Sequence, residues 1–195
     1  VSEPSPKSNP HAAGTPSAWI VRHAHLIAAG ARVLDVAAGY GRNARFLAAR
    51  GARVLAIDRD AGALASLAAV AGVVTRVVDL EAGSWPLAGE RFDAIVVVHY
   101  LHRPLFAHLR EALADDGVLL YETFADGNAA YGRPKNPDFL LRRDELLDVA
   151  RASPALTVVA FEQGVSVSEG GAAVVQRIAA VGPARRWPAQ IAAPS

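Results

Sequence analysis

A chain of 195 residues with 52% hydrophobic and 20% charged residues is long enough to bury a sizeable core and has the composition of a single globular domain. The formal charge of +1 argues against an extensive phosphate-binding face, so nucleic acid is an unlikely partner and the pairs Arg142-Arg143 and Arg185-Arg186 read as solvated surface. The absence of cysteine excludes disulfides, thiolate metal sites and thiol nucleophiles, and no apolar run reaches membrane-spanning length.

Residues 1–16 make a Pro/Ser-rich head and residues 183–195 a Pro/Ala-rich tail, both expected to be flexible around one domain at residues 17–182. The opening Val1-Ser-Glu-Pro-Ser-Pro6 lacks the basic-then-apolar order of a secretory signal, so the cytoplasm is the expected location. Ser17, after Pro16, is an N-cap candidate for a leading helix over residues 17–29. An apolar strand at 32–37 then runs into Val33-Leu-Asp-Val-Ala-Ala-Gly-Tyr-Gly41, where Asp35 precedes a turn of small residues and Gly39 and Gly41 let the backbone approach a ligand. A helix near 43–50 follows. The next strand, 53–58, ends in Asp58, a carboxylate placed to accept both hydroxyls of a ribose. Strand, glycine turn, helix, strand and acid make one βαβ unit.

Further strands are expected near 73–78, 92–98, 117–123, 156–162 and 173–181, and further helices near 60–70, 103–114 and 143–151. The continuous apolar run Ala94-Ile-Val-Val-Val98 suits a parallel strand covered on both faces, and the alternation of elements predicts an α/β doubly wound sheet. The last two strands are joined only by a loop from Gln163 to Gly171, which predicts an antiparallel hairpin.

The turn also fits a dinucleotide fingerprint, Gly39-x-Gly41-x-x-Ala44, but an acid at Asp35 would repel a pyrophosphate, whereas the positive sulfonium and ammonium of S-adenosylmethionine tolerate it. With Ala37 at the first small position after Asp35, the segment resembles motif I of class I S-adenosylmethionine-dependent methyltransferases. Thr75-Arg-Val-Val-Asp79-Leu80 is similar to the third-strand motif whose acid and following residue meet the adenine. Phe92 to Val98 resembles the fourth strand. Leu113-Ala-Asp-Asp-Gly117 resembles the turn into the fifth, with Ala-Asp-Asp where proline and glycine are common. Within that class the chain is most similar to small bacterial enzymes of the tellurite-resistance type.

The resemblance implies a Rossmann-like sheet of seven strands with the final one reversed, in a three-layer α/β/α sandwich. It also implies S-adenosyl-L-methionine as cofactor, held by Asp35, Ala37, Gly39, Gly41, Asp58, Asp79 and Leu80, with Arg59 along the adenine. His99 would stand near the methionine end, its backbone carbonyl facing the ammonium. From the leading helix, Trp19 and Arg22 would close over the cofactor, the arginine pairing with its carboxylate. Residues after the fourth and fifth strands line the reactive side, so His99, Tyr100, His102 and Glu122 are the candidate catalytic groups where an acceptor must lose a proton. No third ligand accompanies His99 and His102, so no metal site is expected. The segment after Glu122, with Asn128, Tyr131, Arg133 and Pro134, reads as a lid or specificity loop. The expected activity is methyl transfer to a small molecule. The rivals are an RNA or protein methyltransferase, a catalytically silent cofactor-binding module, and an NAD-binding oxidoreductase.

Overall fold

Stretches rich in Val, Ile and Leu form the strands, and each turn between them falls at small or polar residues. The computed structural model describes residues 14–152, 155–168 and 171–186. Seven strands form one sheet: β1 (Arg32–Val36), β2 (Arg53–Asp58), β3 (Val73–Val77), β4 (Phe92–Val98), β5 (Leu113–Phe124), β6 (Thr157–Ser168) and β7 (Gly171–Val181). Their order is β3-β2-β1-β4-β5-β7-β6, parallel through β5, with β7 antiparallel to both neighbours. Consecutive strands step outward one way from β1 to β3, and β4 returns to the other side of β1. That reversal opens a crevice beyond the carboxyl ends of β1 and β4.

Side chains along each strand alternate between two cores. Val33, Val54, Ala56 and Val96 pack toward Trp19, Ile20, Leu47 and Leu64 of α1 (Ala18–His23), α2 (Arg42–Ala49) and α3 (Ala61–Ala65). Leu34, Val36, Ile57 and Val97 pack toward Leu105, Leu109, Leu146 and Ala150 of α4 (Leu105–Ala112) and α5 (Glu145–Arg151). The result is a doubly wound, Rossmann-like α/β/α sandwich. Burying each large apolar side chain contributes about 1.5–3 kcal/mol before entropy is counted.

Several boundaries differ from the sequence expectation. The leading helix is short, because after His23 the chain tightens into a 3-10 turn and Ile27 is already extended. Strand β5 begins at Leu113, so the stretch Leu113 to Gly117 is an irregular strand edge that shifts register between Phe92 and Ala94. The expected loop from Gln163 to Gly171 is mostly strand: Val165 pairs with Val174 and Val167 with Ala172, which extends the hairpin. At the carboxyl end, Ala184 N donates to Asp115 O at 2.9 Å and Arg185 Nη2 to Leu26 O at 2.7 Å, so packing runs past Gly182. Residues 1–13 of the expected head and 187–195 of the expected tail lie outside the described residues.

Candidate functional site

At the switch point, β1 ends in Val36 and the chain enters a turn of alternating left-handed residues: Ala37 at φ 53°, Gly39 at φ 54° and Gly41 at φ 72°. The two glycines serve different ends. A Cβ on Gly39 would meet nothing within 4 Å, so its bare backbone faces open space. A Cβ on Gly41 would lie 2.4 Å from Leu67 Cδ1, so packing under α2 by itself calls for glycine there. Ala37 holds a conformation that L residues adopt at a cost of roughly 1–2 kcal/mol.

Asp58, at the end of β2, is half-buried and fixed by main chain: Gly39 N donates to Oδ2 at 2.8 Å and Asp60 N to Oδ1 at 2.9 Å. A carboxylate offers about four acceptor positions, so two remain for a ligand. Asp79 is held by Glu81 N, which donates to Oδ1 at 2.9 Å. Asp58, Arg59, Asp79, Leu80, Ala37, His99 and Tyr100 line one cavity of about 480 Å³, within the range of small-molecule sites. Asp35 is not on its wall. It is 1% exposed, its Oδ2 has no hydrogen-bond partner, and burial pushes its carboxyl up to about 7 against a hydrogen bond from the Ala44 backbone. Asp35 therefore reaches the turn only through the interior.

Residues 33–117, which carry β1 to the start of β5 and this cavity, match the methyltransferase domain family. This segment of the chain is thus similar to a methyltransferase domain. The wall of Asp58, Asp79 and Leu80 beside the open backbone of Gly39 suits an adenosyl group, as S-adenosylmethionine carries. The fold is shared with TehB from Haemophilus influenzae, at 20% identity and a TM-score of 0.68 over 84% of this chain, which spans 61% of that longer protein. It is shared with a TehB-like S-adenosylmethionine-dependent methyltransferase from Corynebacterium glutamicum, at 19% identity and a TM-score of 0.59 over 84% of this chain and 86% of that one. The [4+2]-cyclase SpnF also has it, at 16% identity and a TM-score of 0.65 over 85% of this chain and 78% of that one. Among curated proteins none matches the sequence significantly. No helix among the described residues is long and apolar enough to cross a membrane.

The protein has a second cavity, about 710 Å³, that shares His99 and Phe124 with the first. Its wall holds Arg42, Arg133, Arg177 and Glu122. Glu122 is 4% exposed; Ser17 Oγ donates to its Oε1 at 3.1 Å, and Arg177 Nε stands 2.5 Å from its Oε2. Arg177 also pairs with Glu162 at 3.3 Å and donates to Ser166 Oγ at 2.8 Å. His99 takes φ 58°, stacks on Phe124 with ring centroids 4.8 Å apart, and sets Nδ1 3.4 Å from Arg42 Nη2 and Nε2 3.8 Å from Glu122 Oε1. Burial, and then the charge of Arg42, hold its imidazole below the ordinary value despite Glu122. His99 is thus neutral at pH 7, with Nδ1 accepting from Arg42 and the proton on Nε2.

Other candidates lie elsewhere. Trp19 is buried and donates Nε1 to Ile178 O at 3.1 Å, and Arg22 pairs with Glu162 and covers the Trp19 ring at 4.6 Å. Neither reaches the cofactor cavity, because α1 lies against β5 and β7 through the Ser17 cap. His102 lines neither cavity; its carbonyl accepts from Leu105 N at 3.0 Å and starts α4. Tyr100 lines the cavity, but burial and Glu81 push its phenol above its usual value, and its carbonyl accepts from Tyr121 O–H at 2.9 Å. The expected lid is a braced strut: Asn128, fully buried, donates to Pro134 O at 3.1 Å and accepts from Val174 N at 3.0 Å. Arg103 braces its far end, donating to Leu140 O at 2.8 Å and to Glu145 Oε1 at 2.7 Å. The sequence reading missed as site residues Arg42, which directly follows the glycine turn, and Arg177, which stands outside any motif on β7.

Proposed function

We propose that this chain is a cytoplasmic enzyme that transfers the methyl group of S-adenosylmethionine to a small molecule. The observation that carries the reading is the pair of cavities meeting at His99 and Phe124, one walled by acids suited to an adenosyl group and the other lined by Arg42, Glu122, Arg133 and Arg177. Asp58 accepts from the ribose hydroxyls, Asp79 and Leu80 meet the adenine, and Arg59 lies along it. Arg42, in place of Arg22, is the cation for the methionine carboxylate, since it stands beside the glycine turn with Nη1 donating to Thr15 O at 3.3 Å.

Bound there, the cofactor supplies an electrophilic methyl group on a sulfonium. The protein's part is to hold the acceptor in line and exclude water. His99 and Phe124 form the common wall on which both ligands rest. Glu122 is committed to Arg177 and Ser17 and so positions the wall instead of moving a proton. The second cavity's size favours a small acceptor, and the near-neutral charge offers no broad surface for RNA. Calorimetry of the full chain with S-adenosylhomocysteine and with NAD tests the cofactor: binding of the first alone is expected, and binding of NAD alone would refute the reading. Labelled methyl from S-adenosylmethionine should then enter the small-molecule fraction of a cell extract; label only in RNA or protein would refute the acceptor class.

A further inference from the structure

Among the described residues, the charges around the second cavity do not cancel. Glu122 is matched by Arg177, and the methionine carboxylate assigned above is matched by Arg42. Arg133 remains, and it forms no ion pair with any described residue. Its backbone is anchored next door, where buried Asn128 donates Nδ2 to Pro134 O at 3.1 Å, while its guanidinium is exposed at the cavity wall. An unpaired cation on the wall of a site that also takes a sulfonium repels amines and favours an acceptor with one negative charge.

Among the described residues the same cavity presents no free base. The His99 Nδ1 lone pair faces Arg42 Nη2 at 3.4 Å, Glu122 accepts from Ser17 and is ion-paired with Arg177, and the Tyr100 hydroxyl lies in the other cavity near Glu81 at 3.5 Å. An alcohol, phenol or ammonium acceptor would need its proton removed, and none of these described groups is placed to take it. An acceptor that arrives already ionised needs none.

We propose that the acceptor is a small organic acid anchored by Arg133 and that its carboxylate oxygen is itself the nucleophile, giving a methyl ester. The oxygen–methyl bond forms as the sulfur–methyl bond breaks. The sulfur keeps the electron pair of the broken bond, and the anion and sulfonium become a neutral ester and a neutral thioether with no proton released. Charge is annihilated in this step, so displacement of water by the two bound ligands favours it. Phe124 and Tyr131 on the same wall suit an acid with an aryl or alkyl body.

The inference rests on the methyltransferase reading, and the test separates the two. With the full chain saturated by S-adenosylhomocysteine, calorimetry should show 3-phenylpropanoate binding at least about tenfold more tightly than 3-phenylpropanamide, the preference expected of a charge-assisted contact. Arg133→Gln should abolish that preference while leaving affinity for S-adenosylhomocysteine unchanged. Equal binding of acid and amide, or binding of neither, overturns the anchor. Label transferred from methyl-labelled S-adenosylmethionine into low-molecular-weight compounds should be released by alkali as volatile methanol. Alkali-stable label overturns the ester, whereas failure of S-adenosylhomocysteine to bind at all overturns the methyltransferase reading beneath it.

Discussion

Asp35 sets an unusual dependence of stability on pH. Its carboxyl, ordinarily at 3.8, is pushed by burial to about 7, and its Oδ2 has no partner. Between those values the unfolded chain is ionised and the folded chain protonated, so the folded state holds the extra proton and stability falls as pH rises. The slope is about 1.4 kcal/mol per pH unit and the total about 4 kcal/mol, absent below the unfolded value and complete above the folded one. Asp35→Asn removes the titration. It keeps an oxygen for the Ala44 N–H but sets an unmet amide donor in place of Oδ2, at a cost of about 1–3 kcal/mol. The variant should therefore be less stable than the parent near pH 4.5 and should gain on it steadily, matching or exceeding it near pH 8. Urea unfolding across roughly pH 4.5 to 8 measures this directly. A difference between the two proteins that stays constant with pH would refute the argument, because Asp35 would then titrate alike in both states.

The two glycines of the turn should separate on substitution. Gly41→Ala drives a Cβ into Leu67 and should lower the melting temperature by several degrees, whereas Gly39→Ala, with space around it, should weaken S-adenosylhomocysteine binding more than it lowers stability. Equal thermal losses in the two variants would contradict this. Ala37→Gly should relieve left-handed strain of about 1 kcal/mol and raise the melting temperature by about 2–4 °C; no rise in a thermal scan would mean that the turn has already relaxed. Arg103→Ala leaves Glu145, 5% exposed, with only the backbone N–H and exposed guanidinium of Arg142, and should cost about 1.5–3 kcal/mol in chemical denaturation, with no measurable loss contradicting the bracing role.

Much of the fold was legible because the βαβ unit from Val33 to Asp58 is written locally: apolar strand, small-residue turn, helix, strand and acid succeed one another within one short segment. The same locality placed Asp58, Asp79 and Leu80 on one cavity wall. The sequence misled where contacts are distant. Arg22 was expected at the cofactor, yet its partner Glu162 lies 140 residues away on β6, and no pattern near Arg22 announces it. Arg177, which fixes Glu122, likewise stands alone on β7. The spacing of Gly41 from Gly39 marked a binding turn, but nothing local announced its second constraint, the packing of Leu67 from beyond α3 into the space of the missing Cβ. Ser166 and Ser168 alternate with Val165 and Val167 at strand period, yet Gly164 and Gly171 made the segment read as a loop; pairing with β7 decided otherwise.

Asp58→Ala is the most direct probe of the central claim, that acids at the carboxyl ends of β2 and β3 hold the adenosyl group. Calorimetry should show the parent chain binding S-adenosylhomocysteine and the variant binding it about 10 to 100 times more weakly, as expected for loss of charge-assisted hydrogen bonds to a ribose. Affinity unchanged by the substitution would contradict the placement of the cofactor in this cavity.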